Sequence, residues 1–188
     1  CFQKKIWKIG ITICEDIWVE KCLQNEKIYG KDPIGSLEKE KLDLLINLSA
    51  SPFIQSKSLL RQRIAAKAAI RLSCPVIYVN QIGGNDELVF DGSSFTLDRK
   101  GKLMQQLPAF KESVILHDMA SSKQQQFISI PYSTSQELLF RALVLGVKDY
   151  ARKCNFNSAV IGLSGGIDSA LVATIAVAAL GISKVHAI

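Results

Sequence analysis

A glycine-rich segment late in the sequence has the residue types of a phosphate-binding loop. It lies between an apolar strand-like run and an alanine-rich helical run, and it consists of Gly162, Leu163, Ser164, Gly165, Gly166, Ile167, Asp168 and Ser169. Glycines let a backbone turn sharply and approach a ligand closely, and the amides that open a helix attract anions. The segment lacks the Gly-Lys-Ser/Thr ending of a Walker loop, and on physical grounds it also fits a plain strand-to-helix turn.

Asp168 is the unusual member of this segment, because a carboxylate repels a phosphate unless a cation lies between them. A Mg²⁺ ion that bridges Asp168 to phosphate oxygens removes the repulsion. A phosphate role for the loop therefore predicts magnesium at Asp168. A plain turn would need the carboxylate only in the first turn of the following helix.

A second candidate for chemistry lies far upstream, where ICEDIW places Cys14 after a β-rich run and before Trp18. A nucleophilic thiol needs a base or a cation that holds it as the thiolate. Neither His117 nor His186 lies near Cys14 in sequence, so a cysteine–histidine dyad is not supported. Cysteine is also a common small buried residue, and both roles are open on the residues alone.

Hydrophobic periodicity predicts the elements that must position these segments. The run WKIGITI predicts a strand ending at Cys14, LDLLINLSA predicts a buried strand ending near Ser49, and PVIYVN predicts a third strand. The run LVFDGSSFTLDRKGKL predicts two strands around a turn at 99–101. A helix is predicted over 58–72, with its basic residues away from an apolar face made of Leu59, Ile64, Ala68 and Leu72.

The pattern after residue 135 predicts a helix, a strand, a second helix and a further strand. Ser135 is the predicted cap of the first helix, whose apolar positions are Leu139, Leu143 and Val147. The strand SAVIGL leads through the glycine-rich segment into the helix DSALVATIAVAAL, and KVHAI begins another strand. This order predicts parallel pairing in a Rossmann-like α/β unit.

Composition sets limits on the class of protein. The 188 residues are 48% apolar and carry a net charge of +6, but acidic and basic residues are interspersed, which argues against a nucleic-acid partner. The longest apolar stretch, 170–182, is too short and interrupted to cross a bilayer, so no membrane partner is expected. Five cysteines without disulfide or zinc spacing predict reduced thiols and a cytoplasmic protein.

A change in amino-acid composition along the chain predicts two domains. Residues 118–135 are rich in Ser and Gln and contain Pro131. We place one domain at 1–120, a linker at 121–135 and a second domain at 136–188. The chain starts without Met and stops in a strand-like run, so we expect a fragment of a longer protein.

The segment SGGIDS resembles the SGGxDS signature of the PP-loop ATP pyrophosphatases. The longer run ALVLGVKDYARKCNFNSAVIGLSGGIDSALVATIAVAALG is similar to the NAD synthetase branch of that family. The resemblance implies that 162–169 binds ATP, that Mg²⁺ lies at Asp168, and that 136–188 is the start of a Rossmann-like parallel α/β PP-loop domain.

The segment KIGITICEDIW resembles the nucleophile segment of glutamine-using members of the nitrilase family, and NLSASPF, YVNQIGGNDELVFDGSSF and DRKG follow that family in order. The resemblance implies part of a nitrilase-like α-β-β-α sandwich, with Cys14 as the nucleophile of a Glu-Lys-Cys triad. It assigns the Glu and Lys of that triad to segments upstream of Cys14, and neither Lys8 nor Glu15 matches their positions.

The same resemblance implies a glutamine pocket. Glu15 contributes a backbone N–H to an oxyanion hole, Trp18 forms a wall, and Ser51 and Lys57 contact glutamine. On the residues alone, Ser51 is also readable as a turn or capping residue, and Lys57 as a surface charge.

The order of a nitrilase-like glutaminase and a PP-loop synthetase resembles that of the glutamine-dependent NAD synthetases. This resemblance implies a homo-oligomeric ligase that hydrolyses glutamine and uses ATP to amidate deamido-NAD to NAD. Another PP-loop amidotransferase, a nitrilase-type amidase and a catalytically dead binding module are the alternatives. Cys1 is a rival nucleophile, because some amidotransferases use an N-terminal cysteine, but the residues after it lack their pattern.

Overall fold

The computed structural model describes residues 7–19, 32–117 and 134–188 of the chain. The helices of these ranges are α1 (Pro33–Leu37), α2 (Lys57–Leu72), α3 (Ser135–Lys153) and α4 (Ile167–Leu180). The strands are β1 (Ile9–Ile13), β2 (Leu44–Ser49), β3 (Val76–Asn80), β4 (Ile82–Asn85), β5 (Leu88–Asp91), β6 (Phe95–Leu97), β7 (Leu103–Gln106), β8 (Ala159–Ile161) and β9 (Val185–Ala187).

A five-stranded mixed sheet in the order β1-β2-β3-β6-β7 forms the centre of the first part of the chain. β1, β2 and β3 run parallel, so that Thr12 lies beside Asn47 and Asn47 beside Tyr78. β6 and β7 continue the sheet antiparallel. The carboxyl ends of the three parallel strands therefore meet at one edge, which is where open α/β sheets collect their functional side chains.

The two faces of this sheet differ in burial. One face packs on α2, whose Ile64, Ala65, Ala68 and Ala69 form a core with strand residues such as Leu45. Side chains alternate across a strand, and the other face carries Ile11 and Ile13 of β1, which are exposed. The apolar residues of β1 thus lie on the face that α2 does not cover.

The predicted apolar face of α2 needs two corrections. Ile64, Ala68 and Leu72 are buried as expected, but Leu59 is exposed. Helical periodicity predicts that Arg61 lies away from the core, but the structure buries it in an ion pair with Asp91. A charge is tolerated there because the carboxylate of β5 neutralises it, a partner that helical periodicity cannot reveal.

The run LVFDGSSFTLDRKGKL holds three strands rather than two. Its first part forms β5, which pairs with β4 in a separate antiparallel hairpin, and its second part forms β6 and β7 of the main sheet. The predicted turn at 99–101 is confirmed, since Gly101 N–H donates to the Asp98 carbonyl and Asp98 N–H to the Lys102 carbonyl.

The second part of the chain forms the predicted parallel unit, in which β8 pairs with β9 and α4 connects them. The cap prediction for α3 is wrong by one residue. Ser135 is the first helical residue, and the Thr134 hydroxyl caps the helix by accepting from Glu137 N–H at 3.2 Å. The expected apolar positions Leu139, Leu143 and Val147 are exposed, and Ala142 and Ala151 are the buried positions of α3.

Most of the predicted linker 121–135 lies outside the described residues, so its boundaries stay a prediction. Among the described residues, no helix combines the length and the apolar character that a membrane crossing requires.

Candidate functional site

Cys14 lies at the carboxyl end of β1 and opens a tight 3-10 turn, Cys14–Ile17. Its φ of +50° is in the left-handed region, a strained conformation for a residue with a Cβ. The Asp16 carboxylate secures the turn by accepting from Ile13 N–H at 2.9 Å. The turn holds a half-buried thiol at the sheet edge.

The neighbouring strand β2 supports this turn with a buried amide. Asn47 donates to the Thr12 hydroxyl at 3.0 Å and to the Cys14 carbonyl at 3.4 Å, and it accepts from the Ser49 hydroxyl at 2.6 Å. A buried polar side chain with its hydrogen bonds made rigidifies its surroundings. Asn47 therefore ties the backbone of Cys14 to the end of β2.

Ser51 follows β2 and is 6% exposed. The side chain of Asn80, the last residue of β3, accepts from Ser51 N–H at 2.9 Å and donates to the Ser51 carbonyl at 3.2 Å. The Ser51 hydroxyl makes no hydrogen bond to any described residue. Buried polar groups are nearly always paired, so this hydroxyl is available to a ligand or water.

Tyr78 of β3 was not singled out in the sequence, yet it is 1% exposed and lies beside the same site. Burial raises the pKa of its hydroxyl, and the nearby hydroxyls of Ser49 and Ser51 lower it in part. The geometry nevertheless gives the Tyr78 hydroxyl no hydrogen bond within the described residues. The strand VIYVN is otherwise apolar, but it carries a Tyr and an Asn at alternate positions. These two polar side chains on one face of the strand are the sequence signal that could have indicated the site.

Lys57 is the first residue of α2, and its ammonium lies 5.8 Å from the centre of the Trp18 ring, close enough for a cation–π contact. Burial lowers the pKa of Lys57 and the positive charge of Arg61 lowers it further, while Cys14, Glu15 and Asp91 act in the opposite direction. The structure thus brings Lys57 and Trp18 to the electrostatic neighbourhood of Cys14. A cation there attracts an anionic substrate group.

Lys8 is engaged elsewhere, because its ammonium forms an ion pair with Glu40 at 2.5 Å. The Glu15 side chain is exposed, and its backbone N–H is the group predicted to act at the site. Cys74 is buried, and burial raises the pKa of its thiol to about 11, which makes it a poor nucleophile. The rival nucleophile Cys1 lies outside the described residues.

The glycine-rich segment forms the turn between β8 and α4. Gly165 has a φ of +81°, and a Cβ there would meet open space. The Ser164 and Ser169 hydroxyls lie 3.3 Å apart across the turn, and Ser169 also donates to the Gly166 carbonyl at 3.0 Å. No side chain caps α4 at Gly166, so the first amides of the helix face an exposed turn that suits an anion.

Asp168 lies in the first turn of α4 and is exposed. The described ranges contain no group of three or more His, Cys, Asp and Glu side chains arranged to hold a metal. Magnesium keeps several waters and uses one or two carboxylates together with substrate phosphates. A single carboxylate beside an anion-binding turn therefore fits magnesium that arrives with a nucleotide, and it does not fit a metal held by protein alone.

Family models match both parts of the chain. The model described as carbon-nitrogen hydrolase matches residues 1–128, and the model described as NAD synthase matches residues 139–188. The chain belongs to the carbon-nitrogen hydrolase family, whose model covers the part of the chain that contains the β1–β3 sheet and Cys14. Its similarity continues into the NAD synthase family, so the predicted resemblance and fold class are confirmed.

Curated relatives carry both parts in one chain. The chain is 46% identical over 184 residues to the glutamine-dependent NAD(+) synthetase of Synechocystis sp., covering 96% of this chain and 33% of the relative. It is 36% identical over 186 residues to the enzyme of the same name from Rhodobacter capsulatus, covering 96% of this chain and 31% of the relative. The chain thus spans about a third of the length of these relatives.

Two solved structures agree over nearly the whole chain. The glutamine-dependent NAD+ synthetase of Acinetobacter baumannii, in complex with ADP, superimposes with a TM-score of 0.84 at 33% identity over 99% of this chain and 34% of that chain. A glutamine-dependent NAD(+) synthetase from Cytophaga hutchinsonii gives 0.68 at 26% identity over 97% of this chain and 28% of that chain. One superposition covers the hydrolase and synthetase parts together.

Proposed function

We propose that this chain is part of an enzyme that releases ammonia from glutamine at Cys14 and uses it in an ATP-dependent conversion of deamido-NAD to NAD. The observation that carries the proposal is the position of Cys14 and Ser51 after the paired parallel strands β1 and β2, together with Lys57 over the Trp18 ring. The anion-binding turn 162–169 supports the second half. The division into 1–120, a linker 121–135 and 136–188 belongs to the same proposal.

In the first reaction the Cys14 sulfur attacks the glutamine amide carbon. Lys57 pairs with the substrate carboxylate, the Ser51 hydroxyl accepts or donates a hydrogen bond to glutamine, and Trp18 forms the wall over which Lys57 lies. The thiol proton is transferred to the amide nitrogen, the C–N bond breaks, ammonia leaves, and a γ-glutamyl thioester stays on sulfur. Water then cleaves the thioester and releases glutamate. The Glu15 N–H stabilises the oxyanion in both steps.

In the second reaction the carboxylate of deamido-NAD attacks the α-phosphorus of ATP, and pyrophosphate leaves. The amides and hydroxyls of the turn 162–169 bind the phosphates of ATP and hold the departing pyrophosphate. Magnesium, when bound, neutralises phosphate charge at Asp168. Ammonia then displaces AMP and forms the carboxamide of NAD.

The two proposed sites together overcome the low reactivity of ammonia at neutral pH. Free ammonia is mostly protonated at neutral pH and is then a poor nucleophile, so a dedicated source next to the activated carboxylate raises the rate. We propose the enzyme as a cytoplasmic ligase that works on small molecules as a homo-oligomer.

Isotope transfer tests the proposed function directly. The full-length protein would be supplied with glutamine labelled in its amide nitrogen, together with ATP, magnesium and deamido-NAD. The carboxamide of the NAD formed should carry the label, and AMP should appear in equal amount. Glutamine hydrolysis without NAD formation would leave only an amidase and contradict the proposal.

A further inference from the structure

The antiparallel hairpin β4–β5 is held by side chains of α3, a helix of the synthetase part. Asp149 accepts from Gly84 N–H at 2.8 Å, and the Lys153 ammonium donates to the Gly84 carbonyl at 2.6 Å and to the Asn85 side chain at 3.0 Å. Residues four apart lie on one helix face. Both backbone polar groups of Gly84 are therefore taken by one face of α3.

Glycines let the helix and the hairpin meet at backbone distance. A Cβ on Gly84 would lie 3.3 Å from the Gly146 Cα, and a Cβ on Gly146 would lie 3.3 Å from a Val89 methyl group. Contacts this short leave little room for side chains. The pairing of Gly84 with Gly146 thus gives α3 the close approach that the hydrogen bonds of Asp149 and Lys153 require.

The other strand of the hairpin ends at Asp91, which pairs with a buried arginine of α2. The Asp91 carboxylate accepts from both terminal nitrogens of Arg61, at 2.6 and 3.2 Å, and these side chains are 4% and 1% exposed. Arg61 lies one helical turn after Lys57. A buried arginine depends on its carboxylate, because an unpaired charge in the interior is costly.

The hairpin also holds the segment between Ser51 and Lys57. The Val89 carbonyl accepts from Phe53 N–H at 2.7 Å. One short hairpin therefore contacts α3 on one side, the segment after Ser51 on another, and the Arg61 turn of α2 at its end.

We infer that Asp149 and Lys153 of α3 are positioning residues for the glutamine pocket, acting through the β4–β5 hairpin on Ser51 and Lys57. The inference rests on the proposed function. It places a requirement for correct glutamine binding on the synthetase part of the chain. The glutaminase pocket is then complete only when α3 is docked on Gly84.

Paired substitutions in the full-length protein separate positioning from folding. Asp149→Ala leaves Gly84 N–H without its acceptor, whereas Asp149→Asn keeps an oxygen acceptor at the same place. Lys153→Met removes the ammonium and keeps the length of the side chain. Lys148→Met, an exposed lysine of the same helix, is the matched control.

The KM for glutamine and the rate with free ammonia are the readouts. We expect Asp149→Ala and Lys153→Met each to raise the glutamine KM about tenfold. This change corresponds to the free energy of one charge-assisted hydrogen bond. Ammonia-dependent synthesis should stay within about twofold, since one pocket alone is disturbed. Asp149→Asn and Lys148→Met should resemble the parent protein.

Two results would overturn the inference. An unchanged glutamine KM in both Asp149→Ala and Lys153→Met would show that the glutamine pocket forms without the hydrogen bonds of these two residues to Gly84. An equal fall of the glutamine and ammonia reactions, including any caused by misfolding, would show a general structural role. If the parent protein itself hydrolyses no glutamine, the proposed function fails rather than this inference.

Discussion

Asn80 holds the peptide of Ser51 from both sides, accepting its N–H at 2.9 Å and donating to its carbonyl at 3.2 Å. The last residue of β3 thereby sets the course of the chain after β2. The hydroxyl of Ser51 has no hydrogen-bond partner among the described residues, and Ser51 follows β2, the strand that pairs with β1. An amide at the end of β3 thus fixes the backbone of a residue that follows β2.

Asn80→Ala should therefore damage the glutamine reaction. It leaves the N–H and the carbonyl of Ser51 buried and unpaired, at a cost of about 1–3 kcal/mol for each group. We expect a lower Tm and a glutamine KM raised about tenfold or more, by steady-state kinetics on the full-length protein. Gln55→Ala, at an exposed position of the same segment, is the control. An unchanged KM in Asn80→Ala would mean that Ser51 does not contact glutamine.

Tyr78→Phe tests the buried hydroxyl of β3. The ring stacks on Phe95 with centroids 4.9 Å apart, and phenylalanine keeps that contact. Because the hydroxyl has no hydrogen bond within the described residues, its removal costs no paired interaction. We expect a Tm equal to or above that of the parent in thermal unfolding. A fall of several degrees would show that the hydroxyl has a partner in the complete protein.

Lys57→Met should raise the thermal stability of the fold and weaken glutamine binding. The pKa of Lys57 is lowered by burial, so the folded state binds its proton less tightly than the unfolded state does. The charged lysine therefore destabilises the fold at neutral pH, and the parent gains stability as pH rises through the lowered pKa toward about 10.4, the ordinary lysine value. Lys57→Met should raise Tm at neutral pH, lose this advantage in alkali, and bind glutamine poorly.

Thermal unfolding across a pH series checks the sign of this effect. Lys102→Met, at an exposed position, should give no comparable pH dependence. A lower Tm for Lys57→Met than for the parent at neutral pH would mean that the contact of Lys57 with Trp18 outweighs the cost of burying the charge.

Asp168→Asn should impair the use of magnesium and ATP far more than folding. Loss of the carboxylate that we propose holds magnesium should lower the rate by about a hundredfold or more. Synthesis from glutamine and from ammonia should fall together, since the proposed adenylation precedes both. Leu163→Ile should be mild, because the proposed phosphate contacts are made by backbone amides of the turn. Near-normal synthesis by Asp168→Asn at saturating magnesium and ATP would leave Asp168 as a helix-start residue only.

Local patterns were enough to find the elements around both candidate sites. The strands ending near Cys14 and Ser49, the α2 helix and the parallel β8–α4–β9 unit were all predicted, because each depends on residues close in sequence. The cap of α3 was misplaced because Thr134 and Ser135 are both good caps, and only geometry separates them.

Long-range partners could not be predicted from the same patterns. Arg61 meets Asp91 thirty positions later, and Asn80 meets Ser51 twenty-nine positions earlier. The hydrogen bond from Gly84 N–H to Asp149 joins residues still farther apart. These pairs depend on how strands and helices stack, which the period of a single element does not encode.

Cys14→Ala in the full-length protein separates the proposed glutaminase site from the proposed synthetase site. NAD formation would be measured with glutamine and with free ammonia as alternative nitrogen sources, and Cys1→Ala would serve as the cysteine control. We expect Cys14→Ala to abolish synthesis from glutamine and to leave synthesis from ammonia largely intact, and we expect Cys1→Ala to change neither. An equal loss of both activities in folded Cys14→Ala, or a large loss in Cys1→Ala, would show that Cys14 is not the source of ammonia for a separate site.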